Sequence, residues 1–128
     1  MPQLENKFPL HEESYKIIGI CMEVHRILGP GLLEIVYKDA IEVELKAEEI
    51  PYEREKQYLV NYKGIVLPHH FFADFVVYDK IILEVKAQKG IVDEHYKWVI
   101  NYLAISKCEL GLLINFGERS LVTKRIIL

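Results

Sequence analysis

The chain has 128 residues, 51% of them hydrophobic and 27% charged, which suits one domain around a single core and leaves no room for a second. Its net charge of -3 excludes the broad basic surface of a protein that coats nucleic acid non-specifically, but not a small acidic cleft that gains positive charge with a bound cation. No apolar run reaches the ~18–20 residues of a membrane span, the first residues lack a signal-peptide layout, and Cys21 and Cys108 form no C-x-x-C pair, so a cytoplasmic domain is expected, with no disulfide framework or thiolate zinc site.

Residues 1–13 are polar, proline-punctuated and without periodicity, which predicts a loosely held lead-in before one domain over 14–128. Ser14 is a good N-cap, and Ile17, Ile18, Cys21, Val24, His25 and Leu28 follow at helical spacing on one apolar face. On such a face Cys21 reads as core, and a lone His25 as a hydrogen-bonded core residue rather than a ligand. Leu28-Gly29-Pro30-Gly31 then breaks the helix. A second helix from about Leu32 to Glu48 is expected to bury Leu33, Val36, Tyr37, Ala40, Ile41 and Leu45, with Asp39, Glu42 and Lys46 outward. Glu34 falls near its start, where an acid favours the helix dipole.

Residues 52–62 alternate polar and apolar as an antiparallel strand with one wet face does, and Lys63-Gly64 supplies a turn. A further strand is expected at Ile65–Leu67, with Pro68 marking an edge or a bulge because it donates nothing to a ladder. His69 and His70 are adjacent, so they point to opposite sides and do not share a metal. Beyond the central stretch, a helix is predicted from about Asp93 to Ser106 with Tyr96, Val99, Ile100 and Leu103 inward. A doubly buried strand follows at 110–116 and a last strand at Leu121–Leu128.

The central stretch is Phe71 to Lys89, FFADFVVYDKIILEVKAQK. Two apolar runs flank Asp79-Lys80, which reads as two strands and a tight turn. Asp74 interrupts the first run; Glu84 and Lys86 interrupt the second and share one strand face. Carboxylates on buried strands are costly unless they are paired or hold a metal. Their geometry depends on register. A two-residue loop pairs Asp74 with Val85 and turns Glu84 away; a three-residue loop or a bulge puts Asp74 opposite Glu84 or Lys86 and gathers all three on one face. The sequence does not choose between them.

Asp74, nine residues, then Glu84-x-Lys86 resembles the core of the PD-(D/E)xK nuclease superfamily. A more specific likeness lies upstream: Gly31-Leu-Leu-Glu34-Ile-Val-Tyr37, following His25-Arg26-x-Leu28-Gly29, resembles the GxxExxY protein family, usually grouped with those nucleases. The likeness extends through NYL at 101–103, GLLINFG at 111–117 and KRIIL at 124–128, so it spans roughly residues 15–128. It implies an α/β fold with a restriction-endonuclease-like core, a central mixed β-sheet flanked by helices in the order α-βββ-α-β(β).

The resemblance implies hydrolysis of phosphodiester bonds in nucleic acid, with DNA favoured over RNA. Asp74 and Glu84, with the backbone carbonyl of Val85, would hold Mg²⁺ or Mn²⁺; Lys86 would orient the attacking water or neutralise developing charge; Glu34 would approach the metal from its helix. Tyr37 and Trp98 are candidate substrate contacts, no membrane partner is implied, and a homodimer is compatible with the superfamily. Two positions depart from the pattern: Trp98 stands where relatives commonly carry Gln, and Phe72 where they often carry Arg. As a core residue Trp98 would be buried; as a substrate contact it would stack on a base. The departures keep two other readings open, an inactive nucleic-acid-binding or regulatory module, and a structural or oligomerising protein whose acids and lysine form only an ion-pair network.

Overall fold

The structure, a computed structural model, describes residues 10–128, so most of the expected lead-in lies outside the described residues. Helix α1 (His11–Leu28) starts three residues before the Ser14 cap expected from sequence. Ser14 is buried inside the first turn, where its hydroxyl donates to the His11 carbonyl at 3.0 Å, so it bonds back into the helix instead of capping it. Ile17, Ile20, Cys21 and Val24 form the inner stripe, and burial pushes the Cys21 thiol well up, which leaves it a core residue. His25 Nε2 donates to the Glu118 carbonyl at 2.9 Å, the satisfied core role expected of it.

After the Gly29–Leu33 break, α2 (Glu34–Ala47) begins at Glu34. Tyr37, Ile41 and Leu45 are buried as expected, but Leu33 is 74% exposed because it precedes the helix, and Val36 rotates outward. Lys38, which the apolar stripe does not include, is buried instead. Tyr37 is fully buried: its ring stacks on Phe116 at 4.6 Å, and its hydroxyl donates to the Gly29 carbonyl and accepts the Leu32 N–H. It braces the loop between the helices and offers no surface to a substrate, correcting its place among the candidate contacts.

Strands β1 (Tyr52–Tyr62), β2 (Ile65–Val77), β3 (Ile81–Lys86), β4 (Leu110–Asn115) and β5 (Val122–Ile126) form one sheet in sequence order. Only the β3–β4 pair is parallel, and α3 (Asp93–Ser106) makes that crossover. The separate short strand expected at 65–67 is instead the start of a continuous β2, with Pro68 inside a bulge where the register shifts between Leu59 and Asn61. Helices α1 and α2 cover one face through Ile17, Cys21, Tyr37, Ile41 and Leu45, and α3 covers the other through Val99, Tyr102 and Leu103. This is an α/β restriction-endonuclease-like fold, with a mixed sheet between helical layers. Two α3 expectations are corrected: Ile100 is 42% exposed and Trp98 43% exposed, so Trp98 is not a core residue.

Candidate active site

The register left open by the sequence is settled by a three-residue loop. Val77 pairs with Ile81, Val76 with Ile82 and Phe75 with Leu83, leaving Tyr78, Asp79 and Lys80 in the turn. Tyr78 and Asp79 adopt left-handed backbone, φ 57° and 60°, the residue-by-residue cost of closing that loop. Continuing the register by one places Asp74 opposite Glu84. Regular pairing stops before them, and their carboxylates take over as acceptors. Glu84 Oε1 accepts the Asp74 N–H at 3.0 Å, and Asp74 Oδ2 accepts the Val85 N–H at 2.8 Å. The Val85 carbonyl shares that strand edge with its N–H and so faces the same gap.

A second irregularity explains why Asp74 can reach across. In a regular strand residues two apart share a face. Here Phe75 packs with the α1–α2 core while Ala73 and Phe71 pack with the α3 core. The neighbouring strand makes the same switch. Arg54 reaches Asp39 and Glu42 of α2 at 2.8 Å, whereas Tyr58 packs with the α3 core, and between them Glu55 has φ 54°. Both strands therefore exchange faces at one level, Glu55 beside Asp74.

Lys38 enters this level from α2. Its ammonium donates to Asp74 Oδ1 at 2.9 Å and to Glu55 Oε2. Burial works against its charge, but the hydrogen bonds to Glu55 and Asp74 outweigh it and hold its pKa above the usual lysine range. Glu34, one helical turn earlier, is half-buried. Burial raises its carboxyl above the usual range, and it also feels the charges of Lys86, Asp74, Lys38 and Glu55. Glu84 is pushed up to about 8, first by burial and then by the Asp74 charge. Lys86 enters none of the ion pairs among the described residues.

The end of β3 is clamped from β4. Asn115, fully buried, accepts the Gln88 and Gly117 N–H groups and donates to the Gln88 carbonyl and Glu118, using its whole amide. Gly117 passes so close to Gln88 that a Cβ there would lie 2.2 Å from its carbonyl oxygen. His95, buried on α3, accepts the Val92 N–H through Nδ1, and its pKa is lowered by burial and by Lys86. On that same helix Tyr102 donates to the Phe72 carbonyl at 2.8 Å, and Trp98 lies exposed against Phe71 and Tyr102.

Asp74, Glu84 and Glu34 are thus brought around one level of the sheet beside Lys86, whereas Tyr37 belongs to the scaffold. Sequence reasoning missed Lys38, Glu55, His95 and Asn115. Lys38 carried a signal, its i+4 spacing from Glu34 on a helix face; Glu55 carried none, because it sits in a strand that reads as plainly alternating.

The sequence profile described as PD-(D/E)XK nuclease superfamily matches residues 11–126. The chain belongs to that superfamily. Members typically use divalent metals and act on nucleic acid. The crystal structure of SSO0001 superposes with a TM-score of 0.61 at 20% identity, over 92% of this chain and 59% of that one, a likeness of fold. The chain thus spans about 59% of SSO0001's length. No curated protein matches. Among the described residues no three Asp, Glu, His or Cys side chains form a ready-made metal cage. The buried Asp74–Glu84 pair nonetheless fits Mg²⁺, which asks for one or two carboxylates and completes its shell with water and substrate phosphate. No helix among the described residues is long and apolar enough to cross a membrane.

Proposed function

We propose that this member of the PD-(D/E)XK superfamily is a divalent-metal-dependent nuclease of the GxxExxY kind, hydrolysing phosphodiester bonds in DNA. The observation that carries this reading is the opposition of Asp74 and Glu84 at the open end of the hairpin, with Lys86, in no ion pair among the described residues, two residues further along the strand.

Asp74, Glu84 and the Val85 carbonyl would hold Mg²⁺ or Mn²⁺, with Glu34 approaching from α2. When bound, the ion supplies Lewis acidity toward a phosphoryl oxygen and makes an adjacent water more acidic. Lys86, which enters no ion pair among the described residues, orients that water or neutralises charge building on the phosphate oxygens. Asn115 and Gly117 fix the backbone leaving β3 and so hold Lys86 in line with Glu84.

The deciding experiment is Mn²⁺ titration by calorimetry on the wild type and Glu84→Ala, with cleavage of plasmid and single-stranded DNA assayed alongside and Lys86→Ala as the catalytic control. Binding lost in Glu84→Ala and cleavage lost in Lys86→Ala support the reading. The exposed Trp98 and Phe72, where relatives commonly carry Gln and often Arg, favour a second reading as a binding module without cleavage. Metal-independent DNA binding with no cutting in any divalent ion would establish that one. A homodimer that places two such sites on one duplex remains part of the proposal, tested by sedimentation with and without DNA.

A further inference from the structure

We propose that Lys38 is a tethered counter-cation of the site: its ammonium occupies Asp74 when no divalent ion is bound and is displaced when one binds. The inference rests on the reading that Asp74 and Glu84 take a divalent ion. It concerns a residue that neither the motif nor the family match assigns.

Lys38 Nζ lies 2.9 Å from Asp74 Oδ1, while Oδ2 is engaged by the Val85 N–H. The oxygen that Lys38 covers is therefore the one not already spent on backbone. Both side chains of this pair are nearly buried, with 10% and 12% of their surface exposed. A buried carboxylate left without a cation is costly, so the ammonium does for the metal-free fold what a metal does for the loaded one. Two cations on one carboxylate oxygen repel, and the low-dielectric surroundings screen that repulsion little. Lys38 and a divalent ion at Asp74 thus exclude each other.

The geometry also provides somewhere for the ammonium to go. Its second partner, Glu55, has 49% of its side chain exposed. Leaving Asp74 therefore costs Lys38 one of two ion pairs and moves it toward water, not into an apolar pocket. A lysine suits this, being a point charge on a flexible four-carbon stem, unlike a rigid guanidinium fork. The two lysines then divide the work: Lys38 holds the acids apart from each other's charge before metal arrives, and Lys86 is kept free for the phosphate.

The test uses the full chain. Acetylation of amines by an N-hydroxysuccinimide ester, followed by peptide mass spectrometry, reads the reactivity of Lys38 with and without saturating Mn²⁺, with exposed Lys16 as the internal control. Lys38 is expected to react several-fold faster with Mn²⁺ present while Lys16 stays constant. By calorimetry, Lys38→Met is expected to bind Mn²⁺ about 10-fold more tightly than the wild type, since the competitor is gone. Flat or slower labelling of Lys38, or a Lys38→Met constant no tighter than wild type, overturns the proposal while leaving the metal-binding reading intact. Absence of Mn²⁺ binding in both proteins overturns both. If Lys38→Met does not fold, the wild-type labelling decides alone.

Discussion

The two ends of the β2–β3 hairpin follow opposite rules. Near the turn, Phe75, Val76 and Val77 pair through backbone with Ile81, Ile82 and Leu83, and every one of these side chains is buried and apolar. One residue further from the turn, the backbone partners are replaced by the carboxylates of Asp74 and Glu84. The regular end is stable by burial and close packing and has no chemistry to offer. The open end carries acids in a low-dielectric place, where they need a cation, and the protein supplies its own in Lys38. A site made this way is stable without metal and, on the proposed reading, keeps charges that respond to one.

Variants that separate the two ends sharpen this contrast. The largest effect is expected from Lys86→Ala or Glu84→Ala in the DNA-cleavage assay, where the rate should fall by about 10³-fold or more. Lys86→Ala should melt as the wild type does, because its ammonium enters no ion pair among the described residues; a matching loss of melting temperature would make Lys86 a structural residue.

Next come the stability costs. Asp74→Ala takes one of the two carboxylate partners of the nearly buried Lys38 and leaves the Val85 N–H without its acceptor, so chemical denaturation is expected to show a loss of roughly 3–5 kcal/mol. Phe75→Ala at the regular end is expected to lose a similar ~3–5 kcal/mol through a cavity. The causes differ, and a double-mutant cycle exposes it: adding Lys38→Met should recover part of the Asp74→Ala loss and none of the Phe75→Ala loss. Equal recovery in both would remove the distinction drawn between the two ends.

A smaller effect is expected from pH. The folded Glu84 carboxyl titrates at about 8, above its unfolded value, so between roughly pH 4.5 and 8 the metal-free fold holds a proton that the unfolded chain has released. Stability of the metal-free protein should therefore fall as pH rises through that window. Glu84→Gln should flatten the profile, and saturating Mn²⁺ should do the same by favouring the ionised acid. A wild-type profile that rises with pH over this range contradicts the burial assigned to Glu84.

The smallest effect belongs to the surface. Leu33→Ser and Trp98→Ala replace side chains 74% and 43% exposed, and each should change unfolding free energy by no more than about 0.5 kcal/mol. Trp98→Ala earns its place as a probe because a drop in single-stranded DNA affinity at unchanged stability would assign that ring to substrate.

Much of the fold was legible locally. The spans of β1 and α3 agree with the alternation of 52–62 and the periodicity of 93–106, since half-buried elements must repeat their apolar residues at the period of their backbone. Boundaries were less legible. Ser14 has the chemistry of a cap but sits inside α1, and Leu33 and Val36 fit a helical stripe but face solvent because α2 begins only at Glu34. Pro68, lacking an N–H, marks an edge or a bulge, and the bulge is where it lies.

By itself the sequence determined that acids at 74 and 84 and a lysine at 86 would fall on apolar strands, and that Glu34 would start a helix with a distinctive motif. Alternation and helical spacing are short-range properties written in consecutive residues. The tertiary structure decided the rest. Placing Asp74 opposite Glu84 required the left-handed Tyr78 and Asp79 of a three-residue loop, and reversing faces required the left-handed Glu55. Delivering Lys38 to Asp74 required two elements 36 residues apart to pack together. Such meetings are set by the compatibility of whole layers, in which a buried charge finds its partner only after the sheet and helices have closed around it.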